Sequence, residues 1–335
     1  MKTISTNRKI SVAGKLTIAF IVVLQILLTS FICMMLVYYG PFNVIKKYVV
    51  GTAMSSKDHQ YLATWFLSQE QINNILAVSD NNLVQNGTGV TITNSSSKDI
   101  LLYEIKSDSG KFHGYLMDVK DPKRIKVGLT SKLGTQGETT SQMAKELGAV
   151  AAINGGGFHD STKSGGLWSG TGALPTFFVI SDGKVVYNEV SNNNKLSGDS
   201  SVVAFDNEGK LIIGKHSVNE LLNLNVKEAL VFGRTLVVNG KRAFSGDGSG
   251  GITARTAIGQ TKDGDVLLLV LDGRRINMPG ASLRDSQQIM LQYGAINAVN
   301  LDGGASTTMF NNGKVINSPC DALGERTIPT AICVQ

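Results

Sequence analysis

Hydrophobic residues follow three patterns along the 335-residue chain. Residues 16–39 form an apolar run without a charged residue, and about 20 such residues are enough for a helix to cross a bilayer. Residues 55–78 carry apolar side chains at helical spacing, which predicts an amphipathic helix. From about residue 99 onward, short apolar runs alternate with turn residues, a pattern typical of β-strands.

Four turns in the third region predict β-hairpins, because Asn-Gly or Asp-Gly between two apolar runs is a strong hairpin signal. The turns lie at residues 182–183, 207–209, 263–264 and 311–313. Helical periodicity is rarer and predicts helices at residues 141–147, 218–224 and 282–293. We therefore predict an α+β fold: a β-rich single domain over residues 99–335, with a few helices packed on a mixed sheet. A chain of this length buries a substantial core.

The flank before the apolar run is basic, with no acidic residue among Lys2, Arg8, Lys9 and Lys15. The positive-inside rule then places residues 1–15 in the cytoplasm and the chain beyond the run outside. A cleaved signal peptide is the competing interpretation, but the run is long for one and no small-x-small cleavage site follows it. We predict a single-pass cell-membrane protein with its larger domain extracellular.

Residues 16–39 are thus interpreted as a transmembrane signal anchor, and residues 40–98 as a juxtamembrane helix and linker. The amphipathic helix has three open roles: packing on the domain, lying on the bilayer, or self-association with another copy. Residues 79–98 are rich in Asn, Ser, Thr and Gly, a composition typical of a linker.

The net charge of +6 comes from the first fifty residues of the chain. Six of the 32 basic residues and none of the 26 acidic residues lie within the first fifty positions, so the remainder carries 26 of each sign. A neutral exterior domain has no electrostatic footprint for nucleic acid. The basic pI therefore indicates membrane topology and excludes a nucleic-acid partner.

Two glycine-rich segments follow strand-like runs and place polar groups at strand ends. The first is Asn154-Gly155-Gly156, and the second is Asp302-Gly303-Gly304. Glycine admits the backbone conformations in which consecutive N–H groups bind anionic oxygens. We expect the two strand ends to converge on one site. The simpler interpretation is that both segments are tight exits from helix–strand units.

Five motifs follow one another along the chain: Asn-Gly-Gly-Gly-Phe at 154–158, Arg-Thr-Ala-Ile-Gly at 255–259, Leu-Asp-Gly-Arg at 271–274, Leu-Asp-Gly-Gly-Ala-Ser-Thr-Thr-Met at 301–309 and Gly-Glu-Arg at 324–326. In this order they resemble the motifs of the phosphodiester glycosidase family, and five ordered motifs are specific where one alone is weak. The resemblance covers about residue 99 to the C-terminus. This chain departs from the family pattern by its added Gly157 and by Ala305 in place of a third glycine.

The resemblance implies hydrolysis of a sugar-1-phosphodiester, of the GlcNAc-1-phosphate type, at the anomeric C–O bond. Ordinary glycosidases use two carboxyl groups, but a phosphomonoester leaves readily and needs a cationic cradle, which arginine supplies. The expected catalytic residues are Asp302, as first choice, with Glu325 and Asp272 as alternative bases. The expected substrate-binding residues are Asn154, Gly155, Gly156, Arg255, Arg274, Gly303, Gly304, Ser306, Thr307 and Arg326. The partner is then a phosphorylated glycan of the cell surface or an exopolysaccharide.

Other interpretations remain open at this point. A non-catalytic glycan-binding or exopolysaccharide-assembly protein would keep the same fold. A phosphatase or nuclease would cut the P–O bond, but it generally needs metal clusters of His and Asp. We expect no cofactor and no zinc, because the chain has no CxxC or His/Cys cluster. Asp302, Asp272 and Glu325 could instead hold a calcium ion.

Two cysteines lie in the predicted exterior domain, Cys320 and Cys333. A disulfide between them would suit an oxidising exterior. Two buried free thiols are the alternative, because cysteine behaves as a small hydrophobic residue when buried.

Overall fold

The computed structural model describes residues 12–54, 60–76, 90, 99–159, 171–189, 201–248, 250–321 and 323–335. They belong to two compact units, Met1–Ile75 and Leu76–Gln335. The predicted linker at 79–98 lies almost entirely outside the described residues.

The first unit is helical. Its helices are α1 (Val12–Tyr39), α2 (Asn43–Met54), α3 (Tyr61–Thr64) and α4 (Gln69–Leu76). The apolar stretch Gly14–Tyr39 has a mean hydropathy of 2.7 and its most apolar window is unburied. The sequence prediction of a long apolar helix is therefore confirmed, and such a helix fits a membrane anchor or a signal sequence.

The prediction of one continuous helix over 55–78 is wrong, because α3 and α4 are separate. Ser68 accounts for the break. Its Oγ accepts a hydrogen bond from the N–H of Gln71 (3.2 Å), and the Gln71 side chain accepts one from the N–H of Ser68 (2.9 Å). This reciprocal capping box starts a new helix.

The described residues of the second unit form short strands and three α-helices. The helices are α5 (Thr140–Glu146), α6 (Val218–Asn223) and α7 (Leu283–Gln292). The strands are β1 (Ile100–Lys106), β2 (His113–Val119), β3 (Ile125–Leu129), β4 (Ala151–Asn154), β5 (Phe158–His159), β6 (Leu174–Pro175), β7 (Phe178–Ser181), β8 (Lys184–Asn188), β9 (Ser201–Asp206), β10 (Leu211–Gly214), β11 (Val226–Phe232), β12 (Thr235–Val238), β13 (Lys241–Arg242), β14 (Arg255–Thr261), β15 (Val266–Leu271), β16 (Ala295–Leu301), β17 (Met309–Asn311), β18 (Lys314–Val315) and β19 (Thr330–Val334).

Three large sheets organise these strands. Their strand orders are β1-β2-β15-β14-β16-β12-β13, β10-β9-β11-β7-β8 and β18-β17-β4-β19-β3. The α+β class is confirmed, but the expected mixed sheet is wrong: every strand pairing among the described residues is antiparallel. Short turns favour this outcome, because a parallel pair needs a long crossover connection.

The local predictions hold in this unit. The four predicted hairpins are the pairs β7–β8, β9–β10, β14–β15 and β17–β18. Each of the three predicted helices begins with a capping box, at Thr139, Ser217 and Ser282. Strand and helix ends are therefore encoded by nearby residues.

The core fixes where the polar strand ends meet. One buried cluster draws residues from all three large sheets, and a second lies between the seven-stranded sheet and α7. Strands β14 and β16 pair side by side, with Thr256 opposite Leu301. The start of β14 and the end of β16 therefore lie at the same sheet edge.

Candidate active site

The strand ends at Asn154 and Asp302 converge, as the sequence predicts. The Asn154 Nδ2 atom donates to the backbone oxygen of Asp302 at 2.6 Å. The Asn154 Oδ1 atom accepts from the Thr256 hydroxyl at 2.7 Å and from the Thr308 N–H at 3.1 Å. The side chain of Asn154 thus joins β4, β14 and the segment after β16.

This role corrects the expectation that Asn154 contacts a sugar. The residue has no exposed surface, and both lone pairs of its amide oxygen are used by protein donors. Asn154 is a positioning residue beneath the site, since it holds the backbone from which the Asp302 side chain projects.

The glycine loops do not form the expected anion-binding nest. The N–H of Gly155 donates to the Thr330 backbone oxygen (3.0 Å), and the N–H of Gly156 donates to the Thr330 hydroxyl (3.1 Å). The N–H of Gly304 donates to the backbone oxygen of Ala254 (2.8 Å). These donors are already satisfied within the protein, so they are not available to a ligand.

Close packing explains why these positions are glycine. A Cβ atom on Gly155 would lie 2.5 Å from the Thr330 hydroxyl, and one on Gly303 would lie 2.7 Å from the Ala254 oxygen. Real Cβ atoms do not approach other atoms so closely. The glycines therefore let the strand ends approach one another, and they shape the site indirectly.

The Asp302 carboxyl group occupies the centre of the site. The residue is partly exposed, yet burial of its carboxyl raises the pKa of Asp302. The Ser306 hydroxyl, Arg326, the Gly303 N–H and Arg274 each lower this pKa in part. A desolvated carboxyl flanked by two arginines is typical of functional sites.

Arg274 lies near enough to Asp302 to lower its pKa. It is exposed, and its Nε donates to the Thr253 hydroxyl at 2.9 Å, which orients the guanidinium group. Its backbone φ of 58° lies in the left-handed region, where residues other than Gly, Asn and Asp are uncommon and cluster at functional sites. Gly304, with a φ of 61°, lies directly against the guanidinium group.

Arg326 also lies near enough to Asp302 to lower its pKa. Its guanidinium carbon lies 4.9 Å from the ring centroid of Phe158, a cation–π distance. Phe158 follows the first glycine segment, so this aromatic ring and Arg326 connect two of the five motifs. Sequence reasoning gave Phe158 no role of its own, because the partner of its ring lies far along the chain.

Arg255 does not face a ligand, which corrects its assignment to phosphate binding. Only 6% of its surface is exposed. Its Nε donates to the Ala281 oxygen (3.1 Å), and its Nη2 donates to the oxygens of Gly250 (2.8 Å) and Gly251 (2.6 Å). Burial and then Arg274 lower the pKa of Arg255 to about 10. Arg255 therefore anchors the loop that precedes β14.

The carboxylates of Asp272 and Glu325 both bind other segments of the protein through hydrogen bonds. The buried carboxylate of Asp272 accepts from the Asn317 side chain at 2.8 Å and from the Ser318 N–H at 3.0 and 3.1 Å. Glu325 accepts from the N–H of Ser141 at 2.9 Å and from the Ser141 hydroxyl, near the start of α5. Both carboxylates fasten loops, so the structure does not support them as bases.

The calcium interpretation also finds no support in the described part of the chain. There, no three carboxylate, imidazole or thiol groups gather as metal ligands would. Asp272 and Glu325 bind different loops and do not join Asp302.

A family model for phosphodiester glycosidases matches residues 147–335. This match covers more than half of the chain and includes all five motifs. The chain belongs to the phosphodiester glycosidase family.

Relatives in several organisms show how far the similarity extends. The chain is 29% identical over 216 residues to the SPbeta prophage-derived uncharacterized protein YomE of Bacillus subtilis, covering 63% of this chain and 31% of that protein. It is 27% identical over 220 residues to N-acetylglucosamine-1-phosphodiester alpha-N-acetylglucosaminidase of Bos taurus, covering 59% of this chain and 39% of that protein. The chain thus spans less than half the length of either relative.

The structure of the zebrafish N-acetylglucosamine-1-phosphodiester alpha-N-acetylglucosaminidase catalytic domain, auto-inhibited by its pro-peptide, shares the fold. The TM-score is 0.57 at 23% identity, over 75% of this chain and 87% of that domain. This likeness extends the shared architecture beyond the residues that the family model matches.

Two hydroxyl groups close to Asp302 in the chain are buried. Ser306 and Thr307 are each 1% exposed, and neither hydroxyl makes a well-formed hydrogen bond within the described residues. Ser306 lies close enough to lower the pKa of Asp302. Because both hydroxyls are buried, they are placed to affect the Asp302 carboxyl group. The sequence suggests instead that they contact the substrate directly.

The two cysteines are free thiols, which decides between the two sequence interpretations. Cys333 is fully buried in β19, and burial raises its pKa to about 12. Cys320 lies near Arg274, but burial outweighs this cation and raises the pKa of the thiol. Neither is held in the reactive thiolate form.

Proposed function

We propose that this protein hydrolyses a sugar-1-phosphodiester of the GlcNAc-1-phosphate type at the anomeric C–O bond. The observation that carries the proposal is the partly exposed Asp302 with Arg274 and Arg326 beside it. Family membership supports the reaction class. The arrangement supplies both charges that the reaction needs: cations for the leaving phosphate and an anion for the sugar.

The two arginines bind the phosphate in this mechanism. A guanidinium group donates two parallel hydrogen bonds to phosphate oxygens. Arg274 is oriented by Thr253, and Arg326 by the ring of Phe158. As the anomeric C–O bond breaks, negative charge grows on the departing phosphomonoester, and the arginines stabilise it without a separate proton donor.

Asp302 acts on the sugar. Its carboxylate balances the positive charge that develops at the anomeric carbon of an oxocarbenium-like transition state. Water then adds to this carbon, and the proton that it loses passes to the departing phosphomonoester. A partly desolvated site strengthens this attraction, because fewer water dipoles screen it. Asn154, through its hydrogen bond to the Asp302 backbone, keeps the carboxyl group in place.

The site of action follows from the N-terminus. We infer that α1 is a signal anchor and that the domain acts outside the cell, on phosphorylated glycans of the envelope or on exopolysaccharide. The uncharged run of α1 and the basic residues before it support this topology.

Methyl α-GlcNAc-1-phosphate in water enriched in heavy oxygen tests the reaction with the full chain in detergent. We expect release of GlcNAc that carries the label, together with unlabelled methyl phosphate, and no release by the Asp302→Asn variant. Label in the phosphate would mean P–O cleavage and would refute the glycosidase mechanism. Binding without release in the unaltered chain would favour the non-catalytic glycan-binding alternative.

A further inference from the structure

A cavity lies outside the Asp302 site, in the region of β13 and the start of α7. Its volume is about 250 Å³, and its lining consists of Arg242, Phe244, Ser245, Gly246, Arg284 and Gln287. This is slightly below the range of roughly 300–1,000 Å³ typical of pockets for drug-sized ligands. The cavity therefore has room for one small unit of a larger ligand.

The charge of the cavity is positive. Two of the lining residues are arginines and none is acidic. Neither Arg242 nor Arg284 has an ion pair or a side-chain hydrogen bond within the described residues. Their guanidinium groups therefore keep all five N–H donors for a ligand, and the planar fork matches the oxygens of a phosphate.

The other lining residues give the cavity a fixed shape. The Gln287 Nε2 atom donates to the backbone oxygens of Leu236 (2.8 Å) and Phe244 (3.4 Å), which ties α7 to the strands beside it. The Phe244 ring is 5% exposed, and Arg234 lies 5.6 Å from its centroid. The nearly buried ring therefore forms a rigid apolar wall of the cavity.

One loop connects this cavity to the Asp302 site. Ser245 and Gly246 line the cavity, whereas Thr253 orients Arg274 and Ala254 contacts Gly304. Ala281, three positions before Arg284, exchanges two backbone hydrogen bonds with Thr253 (3.1 and 2.8 Å), and Thr253 orients Arg274. Three residues span at most about 11 Å, so a polymer with a phosphate in each repeat has the length to reach both places.

We propose that the Arg242–Arg284 cavity is a second phosphate subsite, which binds a neighbouring repeat of a polymeric glycan phosphate while Asp302 acts on the scissile unit. This inference rests on the proposed function for the reaction at Asp302. The substrate class is then a chain of sugars joined by phosphodiesters. Occupying both sites adds affinity for the polymer without changing the chemistry at the first site.

The test compares a monomer, methyl α-GlcNAc-1-phosphate, with a synthetic trimer of GlcNAc-1-phosphate units joined by phosphodiesters. Both are offered to the full chain in detergent. We expect the KM for the trimer to be about tenfold lower than for the monomer. In the Arg242→Gln/Arg284→Gln variant this preference should fall below about twofold, with kcat for the monomer unchanged.

A matched control removes two charges elsewhere. Lys145 in α5 and Lys184 in β8 are both exposed, so Lys145→Gln/Lys184→Gln should keep the preference for the trimer. A trimer preference equal in both double variants would overturn the second subsite, because general charge would then explain it.

Direct binding separates this inference from the proposed reaction. Titration of the trimer into the Asp302→Asn chain, with and without the two arginine substitutions, needs no turnover. About tenfold weaker binding without the arginines supports the subsite even where no hydrolysis is detected. Equal binding in both chains refutes the subsite even where hydrolysis of the monomer proceeds as proposed.

Discussion

At the scale of single residues, the surroundings of Asp302 shift its pKa in opposite directions. Burial raises the pKa of its carboxyl, whereas Ser306 and the two neighbouring arginines lower it, and burial prevails. The ordinary pKa of an aspartate is about 3.9. Asp302 therefore loses its proton at a higher pH than an ordinary aspartate does, and the mechanism requires this deprotonated form.

Replacing Asp302 with asparagine tests this role. The variant keeps the size of the side chain but loses the charge that acts in the transition state, so kcat should fall by about 10²–10³ with little change in KM. In the unaltered protein kcat should rise with pH through the raised pKa of Asp302, since protonation removes the charge. Near-normal turnover of the variant, or a rate that falls as pH increases through that range, would contradict the assignment.

Gly304 offers a second test, through Arg274. A Cβ atom at Gly304 would lie 2.7 Å from the guanidinium carbon of Arg274. Gly304→Ala should therefore displace this side chain and lower kcat/KM by about 10-fold to 100-fold, because small misplacements of a binding group are costly.

The left-handed backbone at Gly304 adds a stability cost of about 1–2 kcal/mol to that substitution. Gly313→Ala is the matched control, because Gly313 has a φ of 86° and no atom would lie within 4 Å of its Cβ. The control should lose similar stability in thermal unfolding but keep its activity. Equal activity in the two variants would mean that the position of Arg274 does not matter.

At the scale of elements, carboxylates that resemble catalytic groups fasten loops to strand ends. Asp272 follows β15 and binds the turn at Asn317 and Ser318. Asp272→Ala leaves buried donors without a partner, so it should lower the free energy of unfolding by about 3 kcal/mol. The activity of the folded fraction, measured well below the melting temperature, should stay within about tenfold of normal.

Two further variants test this prediction for Asp272. Asp121 is the control, because its side chain accepts a hydrogen bond from the nearby Lys123 N–H in an exposed turn, and Asp121→Ala should cost about 1 kcal/mol or less. Asp272→Asn keeps an acceptor for Ser318. A loss of several orders of magnitude in kcat by a stably folded Asp272→Asn chain would restore Asp272 as the base.

At the scale of the whole molecule, the inferred topology places the domain outside the cell. Protease added to intact cells that produce the full chain should remove the domain beyond residue 50 and leave a short membrane fragment, because α1 remains protected in the bilayer. The control is the same digestion after lysis. Protection in intact cells, with cleavage only after lysis, would reverse the orientation.

Local features of this protein can be predicted from its amino-acid sequence. Apolar periodicity located α1, α5, α6 and α7, and turn residues located the four hairpins, because these signals depend on neighbours along the chain. It also predicted that β4 and β16 end at one site, and the ordered motifs identified the family. Signals of this kind need no knowledge of distant contacts.

Which polar side chains are buried by protein partners and which stay exposed depends on contacts between distant segments. The guanidinium group of Arg255 donates hydrogen bonds to the backbone oxygens of Gly250, Gly251 and Ala281. Arg274, in a similar motif, is exposed near Asp302. The partner of a polar side chain comes from whichever distant segment packs against it, because buried polar groups must be hydrogen-bonded. No pattern in one stretch of sequence records that partner, so residues of the same type in similar motifs act differently.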